Sequence, residues 1–220
     1  MQTDGFTIPV SIDRFTVLAA LLAILGLAAF VSGVVDLARQ RKFRFFRLGG
    51  SLMLLLCGLV VFAIAGWAQT YRALTHNELV AHIQAAPLVG QPQTMSVTYT
   101  PVRDGQDGVP LTYSVKGDEW LLGGDVLKWQ DYLNIMGVNT GYRITRLQGL
   151  YQDANDERTK EHTAYNLGGT TSNVYTFLKN HATLAPFVRA VYGNYVAMLP
   201  APGVTYNVYV STSGYWTAAR

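Results

Sequence analysis

Apolar residues follow one another without a formal charge over positions 15–35 and again over 48–71, runs of 21 and 24 residues. A bilayer core of about 30 Å takes roughly 20 helical residues, so each run is long enough to cross it. Beyond residue 90 the pattern changes to period two. In 94–100, Met95, Val97 and Tyr99 alternate with Ser96 and Thr98; in 111–116, Leu111, Tyr113 and Val115 alternate with Thr112 and Ser114. Alternation of this kind marks strands with one buried face. The turn-forming stretch 103–108 between them predicts an antiparallel hairpin. Positions 204–210 repeat the pattern, with Val204, Tyr206, Val208 and Val210 on one side, and 188–198 is the expected partner across the Pro200-Ala201-Pro202-Gly203 turn. Positions 142–151 and 162–167 form a further expected pair.

Helical signals fill the gaps. Thr75 and Glu78 have capping-box spacing, which predicts a short juxtamembrane helix carrying Leu79, Val80 and Ile83 and ended by Pro87. A second helix is expected over 129–136, with Gly137 closing it. A third is expected over 173–179, stopping before Pro186. The predicted fold is therefore an N-terminal transmembrane α-helical hairpin followed by a mainly antiparallel α+β extracytoplasmic domain. Its parts are a tail at 1–14, a hairpin at 15–71 with a turn at 36–47, a juxtamembrane helix and linker at 72–90, and the α+β domain at 91–220. The outer domain is long enough to carry its own core.

Charge orients this arrangement. The turn holds Arg39, Arg41, Lys42, Arg44 and Arg47, whereas the tail before the first run holds Arg14 alone. Short loops rich in Lys and Arg stay in the cytoplasm, which predicts both termini on the far side of the membrane. The net charge of +3 resides wholly in this region, because the eleven basic and eleven acidic side chains of 68–220 cancel. The balance removes nucleic acid as a partner class. The tail's side chains are net negative and the first apolar run exceeds a signal-peptide core, so it reads as an uncleaved span. No formally charged residue lies within either run, which leaves no intramembrane proton or ion relay.

Small residues recur within the spans: Ala19 with Ala23, Ala29 with Gly33, and Gly58 in the second. They allow close helix approach in lipid, either between the two helices or toward another membrane protein. Trp67 and Tyr71 sit where an interfacial aromatic belt belongs.

Chemistry-bearing motifs are sparse. His76 and His82 are six apart and fall on different faces of the expected helix, and neither His162 nor His181 has another His or Cys at metal-ligand spacing. The acidic stretch at 153–157 begins like a calcium loop but has Arg158 in place of the Gly and Ala164 in place of the closing Glu, so a solvated turn is expected. Neither Ser114 with Lys116 nor 210–214 matches a nucleophile motif. Asp118, Glu119 and Asp125 beside glycines read as turn formers rather than paired catalytic carboxylates. No catalytic residue, cofactor or metal site is expected. The aromatics stand out instead: Tyr99, Tyr113 and Tyr206 read as core, whereas Trp120, Trp129, Tyr215 and Trp216 are candidates for interaction.

The runs GDEWLL at 117–122, DVLKW at 125–129 and YRITRLQGLY at 142–151 resemble small two-span bacterial inner-membrane proteins often labelled multidrug or cation efflux proteins. That resemblance implies a periplasmic domain and assigns no catalytic residue. Two spans without intramembrane charge are too few for a transport path, so it points to an accessory role. The expected partners are the lipid bilayer and another inner-membrane or periplasmic protein. The alternative is an envelope ligand, lipid or glycan, held in an aromatic cleft.

Overall fold

The computed structural model describes residues 2–3, 6–8, 10, 14–38, 45–168 and 183–220. Two long apolar helices, α1 (Arg14–Ala38) and α2 (Phe45–Thr75), precede an antiparallel β domain. Stretches Arg14–Val35 and Gly49–Arg72 are long and apolar enough to cross a membrane. Arg39, Arg41, Lys42 and Arg44 of the basic turn lie outside the described residues, as does the expected helix over 173–179 together with His181. Arg47 falls in the first turn of α2.

The chain divides into two compact units. One comprises Met1–Pro9, Thr75–Gln130 and Thr140–Arg220; the other comprises Val10–Leu74 and Asp131–Asn139. In the second unit α1 and α2 meet along a seam of small residues. A Cβ on Gly26 would lie 2.8 Å from Leu55 Cα, and one on Gly58 would lie 3.0 Å from Ala23 Cα. Thr16 and Ala20 of α1 are half-buried, and Ala19, Ala23, Gly26, Phe30 and Gly33 form a buried or half-buried line along it. Their steps of four, three, four and three are the spacing of left-handed helix packing at a shallow crossing angle. Ala29 lies beside this line, half-buried. Also in this unit are the short helix α3 (Asp131–Ile135) and a single β-bridge between Val10 and Val138.

The first unit holds two antiparallel sheets. Their strands are β1 (Gln2–Thr3), β2 (Phe6–Thr7), β3 (Glu78–Pro87), β4 (Thr94–Arg103), β5 (Gln106–Asp107), β6 (Leu111–Lys116), β7 (Glu119–Trp129), β8 (Gly141–Leu150), β9 (Ala164–Asn166), β10 (Val188–Met198), β11 (Thr205–Ser211) and β12 (Gly214–Ala219). Among the described residues one sheet runs β1-β2-β8-β7-β10 with β9 on β8, and the other runs β12-β11-β3-β4-β5 with β6 on β4. They share one core: Val80, Ile83, Met95, Val97, Val115, Tyr206 and Val208 from the second sheet face Trp120, Leu122, Val126, Tyr142 and Leu147 from the first. Side chains latch both margins. At one, Asn194 on β10 accepts from the Tyr215 amide at 2.7 Å. At the other, the Tyr165 hydroxyl on β9 donates to the Ser114 carbonyl at 2.8 Å.

The 94–100 and 111–116 strands pair as expected, Met95 opposite Val115 and Val97 opposite Tyr113. So do 142–151 and 162–167, with Leu147 opposite Tyr165. Four expectations are corrected. The juxtamembrane helix is strand β3, hydrogen-bonded to β11 on one side and β4 on the other. Between them the two flanking strands pair most of its length, which outweighs a capping signal worth about 1 kcal/mol. Of the acid- and glycine-bearing stretch 117–125, Gly117 and Asp118 do form the bend expected, but Glu119–Asp125 are the start of β7, a central strand buried on both faces. Burial on both faces removes the alternation by which a strand is recognised. The helix at 129–136 is reduced to α3, because Trp129 still belongs to β7. Finally, β10 pairs with β7 and β11 with β3, so the prolyl turn carries the chain between sheets instead of closing a hairpin.

Candidate functional site

Of the four aromatic residues expected to make contacts, three are in the interior. Trp120 is fully buried and packs its ring 5.6 Å from that of Tyr206. Trp129 and Tyr215 are also buried. The reason for Tyr215 is local: β12 alternates, so Tyr215 points inward and Trp216 outward. Only Trp216 remains on the surface, 39% exposed.

Trp216 stacks on Tyr209 of β11, ring centroids 4.6 Å apart and planes within 18°. The two are direct cross-strand partners. The indole N–H donates to the Asn77 side-chain oxygen at 3.3 Å. The platform continues across the outer face of the second sheet as rows of polar side chains. His82 on β3 lies 2.7 Å from the Asn207 side-chain oxygen on β11 and, through its other nitrogen, 3.3 Å from Asp107 on β5. Gln84 donates to the Thr205 hydroxyl at 2.8 Å, and Thr98 and Thr112 hydroxyls are 3.0 Å apart. A shallow open pocket of about 230 Å³ borders these rows, lined in part by Gln84, Ser96, Thr98 and Gly203. Tyr209, His82 and Asn207 escape the sequence reading. The signal was the polar alternation His82, Gln84 facing Ala81, Ile83, Ala85, hidden by the helix assigned there.

A second polar group is sealed inside the domain. The Tyr142 hydroxyl donates to Glu78 at 3.2 Å, and the Tyr215 hydroxyl donates to the Asp125 carbonyl at 3.4 Å. Gly124 leaves the space for that hydroxyl, since a Cβ there would come within 2.6 Å of it. Burial pushes the Tyr99 phenol up to about 12 and raises Tyr142 and Tyr215 as well. The Tyr142 and Tyr215 hydroxyls are placed as hydrogen-bond donors. Burial also raises the Glu78 carboxyl, against the opposing effect of the Tyr142 hydrogen bond. On the opposite face of β7 the Arg143 guanidinium, buried, donates to Asp125 at 2.6 Å. Ile8, Leu121 and Leu127 are buried outside the main core.

The acidic stretch near 153–157 opens a short helix, α4 (Ala154–Thr159). Asp153 caps it, accepting from the amides of Asn155 and Asp156 at 2.8 and 3.0 Å. Asp156 then pairs with Lys160, and Glu161 with Lys116; the lysine hydrogen bonds hold both carboxyls below their usual range. Such exposed pairs shape a surface and add little stability.

No known protein family matches the chain, nor does any curated protein or solved structure.

Proposed function

We propose that this chain is a two-span inner-membrane protein whose β domain, on the periplasmic side, serves as an accessory subunit by docking another envelope protein on the outer face of its second sheet. The observation that carries the docking is the Tyr209–Trp216 stack: flat, half-exposed and pre-ordered by its cross-strand register and the Asn77 hydrogen bond. Protein interfaces take much of their energy from ordered Trp and Tyr with a satisfied polar tip. Small ligands, in contrast, favour concave apolar sites. The arginine-rich turn supports the orientation, and the pairing of Thr7 with Tyr142 supports a tail and domain on one side of the membrane. Close approach of Gly58 to Ala23 and of Gly26 to Leu55 supports use of small residues within the hairpin itself.

Tagged protein extracted in mild detergent should migrate in native electrophoresis as a complex. Trp216→Ala should release the partner while circular dichroism of the chain stays unchanged. A chain that migrates only as a free monomer, with Trp216→Ala indistinguishable from it, ends the accessory reading. The shallow polar pocket beside the stack favours a second reading, in which the same face holds a glycan through hydroxyl and amide hydrogen bonds. Retention of the chain on an immobilised envelope glycan, lost in Trp216→Ala, would select it.

A further inference from the structure

The segment Asp131–Asn139 leaves the β domain's sequence between β7 and β8 yet belongs to the compact unit of the helical hairpin. Its place along the hairpin follows from register. Ala23 faces Gly58 and Gly26 faces Leu55, so a step forward on α1 matches a step back on α2. Carried nine residues from Ala23, Arg14 stands level with Trp67. Val10, four residues before Arg14, forms a β-bridge with Val138. Four residues span at most about 14 Å and the bridged pair adds about 5 Å, so Val138 lies within about 20 Å of the end of the span. The Val138 amide donates to the Leu133 carbonyl at 3.0 Å, and Gly137 donates to Asn134 at 3.0 Å, which ties α3 to the same place.

The side chains there divide cleanly. Asn134 and Asn139 are buried, and so is Gln69 of α2. Tyr132 is 50% exposed and Met136 is 63% exposed. They stand at the same end of the hairpin as Phe15, Trp67 and Tyr71, all of them exposed. Aromatic and flexible apolar side chains at that level are what a headgroup–acyl boundary accommodates. We infer that Asp131–Asn139 is a third membrane contact, a lipid-surface element that sets Tyr132 and Met136 into the interface beside the ends of the spans. The inference rests on the reading of the hairpin as membrane-spanning and adds a contact made by residues far from it in sequence.

The test uses the full chain with Cys57→Ser, reconstituted in phosphatidylcholine–phosphatidylglycerol vesicles. Single nitroxide labels are placed through Tyr132→Cys, Met136→Cys, Leu59→Cys within α2 and Val89→Cys on a fully exposed turn. Power saturation should report deep lipid at 59, water at 89, and at 132 and 136 a shift toward oxygen accessibility matching about 5–10 Å below the headgroup surface. Labels at 132 and 136 as water-accessible as that at 89, with 59 still deep in lipid, would overturn the third contact and leave the spans standing. Water accessibility at 59 as well would overturn both.

Discussion

Tyr215 and Trp216 are neighbours that go to opposite environments, one sealed under Gly124 and the other stacked on the surface. The alternation of β12 decides which does which, and the glycine at 124 makes room for the phenol. At this scale the costly group is Arg143, buried and paired with Asp125. Asp125→Ala strips that guanidinium of a charge partner and should destabilise the protein by about 3 kcal/mol, measured by urea unfolding in detergent. Glu78 has the opposite sense. Its folded-state carboxyl is raised by burial, so the unfolded chain ionises first as pH climbs. Stability from this group is therefore greatest below the unfolded carboxyl range and falls as pH rises toward the folded value, remaining lower at neutrality. Glu78→Gln should raise the melting temperature at pH 7 and flatten its fall with pH above the ordinary carboxylate range; a variant less stable than the parent at pH 7 contradicts the assignment.

At the scale of elements, the closest helix contact is backbone on backbone. Leu at Gly26 would need space now occupied by Leu55 Cα. Gly26→Leu should therefore force α1 and α2 apart, costing about 1–3 kcal/mol, and lower the thermal midpoint in detergent. Gly49→Leu, where a Cβ meets nothing, is the control and should be neutral. Strand β7 shows the complementary case. Its burial pattern leaves almost no polar face, so its residues look in sequence like glycine turns and stray tryptophans. Gly149 on the neighbouring β8 lies against β6: a Cβ there would come within 1.9 Å of the Lys116 carbonyl oxygen. Gly149→Ala should destabilise the domain severely, by about 3 kcal/mol or more, with loss of near-ultraviolet dichroism at room temperature.

For the whole molecule, the two ends of the chain share a fold. Thr7 pairs with Tyr142, and Ile8 is buried beside Gly141. If the hairpin spans the membrane, a tail built into the domain's sheet must stand on the domain's side of it. Alkaline phosphatase joined after Arg220 should be active, and joined after Lys42 inactive; the reverse pattern rejects the orientation. Ile8→Ala should cost about 2 kcal/mol in unfolding, an effect that a mere leader ahead of the first span would not produce.

The sequence by itself determined what depends on neighbours along the chain. Uninterrupted apolar length marked the two long helices, and period-two alternation marked β4, β6 and β11, because each of these has one face toward the core and one toward water. Pairing between strands near one another in the chain made β4–β6 and β8–β9 legible for the same reason. Tertiary structure decided the rest. Whether 78–87 is helix or strand depended on β4 and β11 flanking it, and β11 lies more than a hundred residues away. The place of Trp120 and Trp129 depended on β7 being covered on both faces, which no local pattern encodes. The surface that remains for a partner, Tyr209 and Trp216 with His82 and Asn207, exists only because β3, β11 and β12 align in register. Period two tells which residues share a face, but only the packed sheets decide which face is left to water.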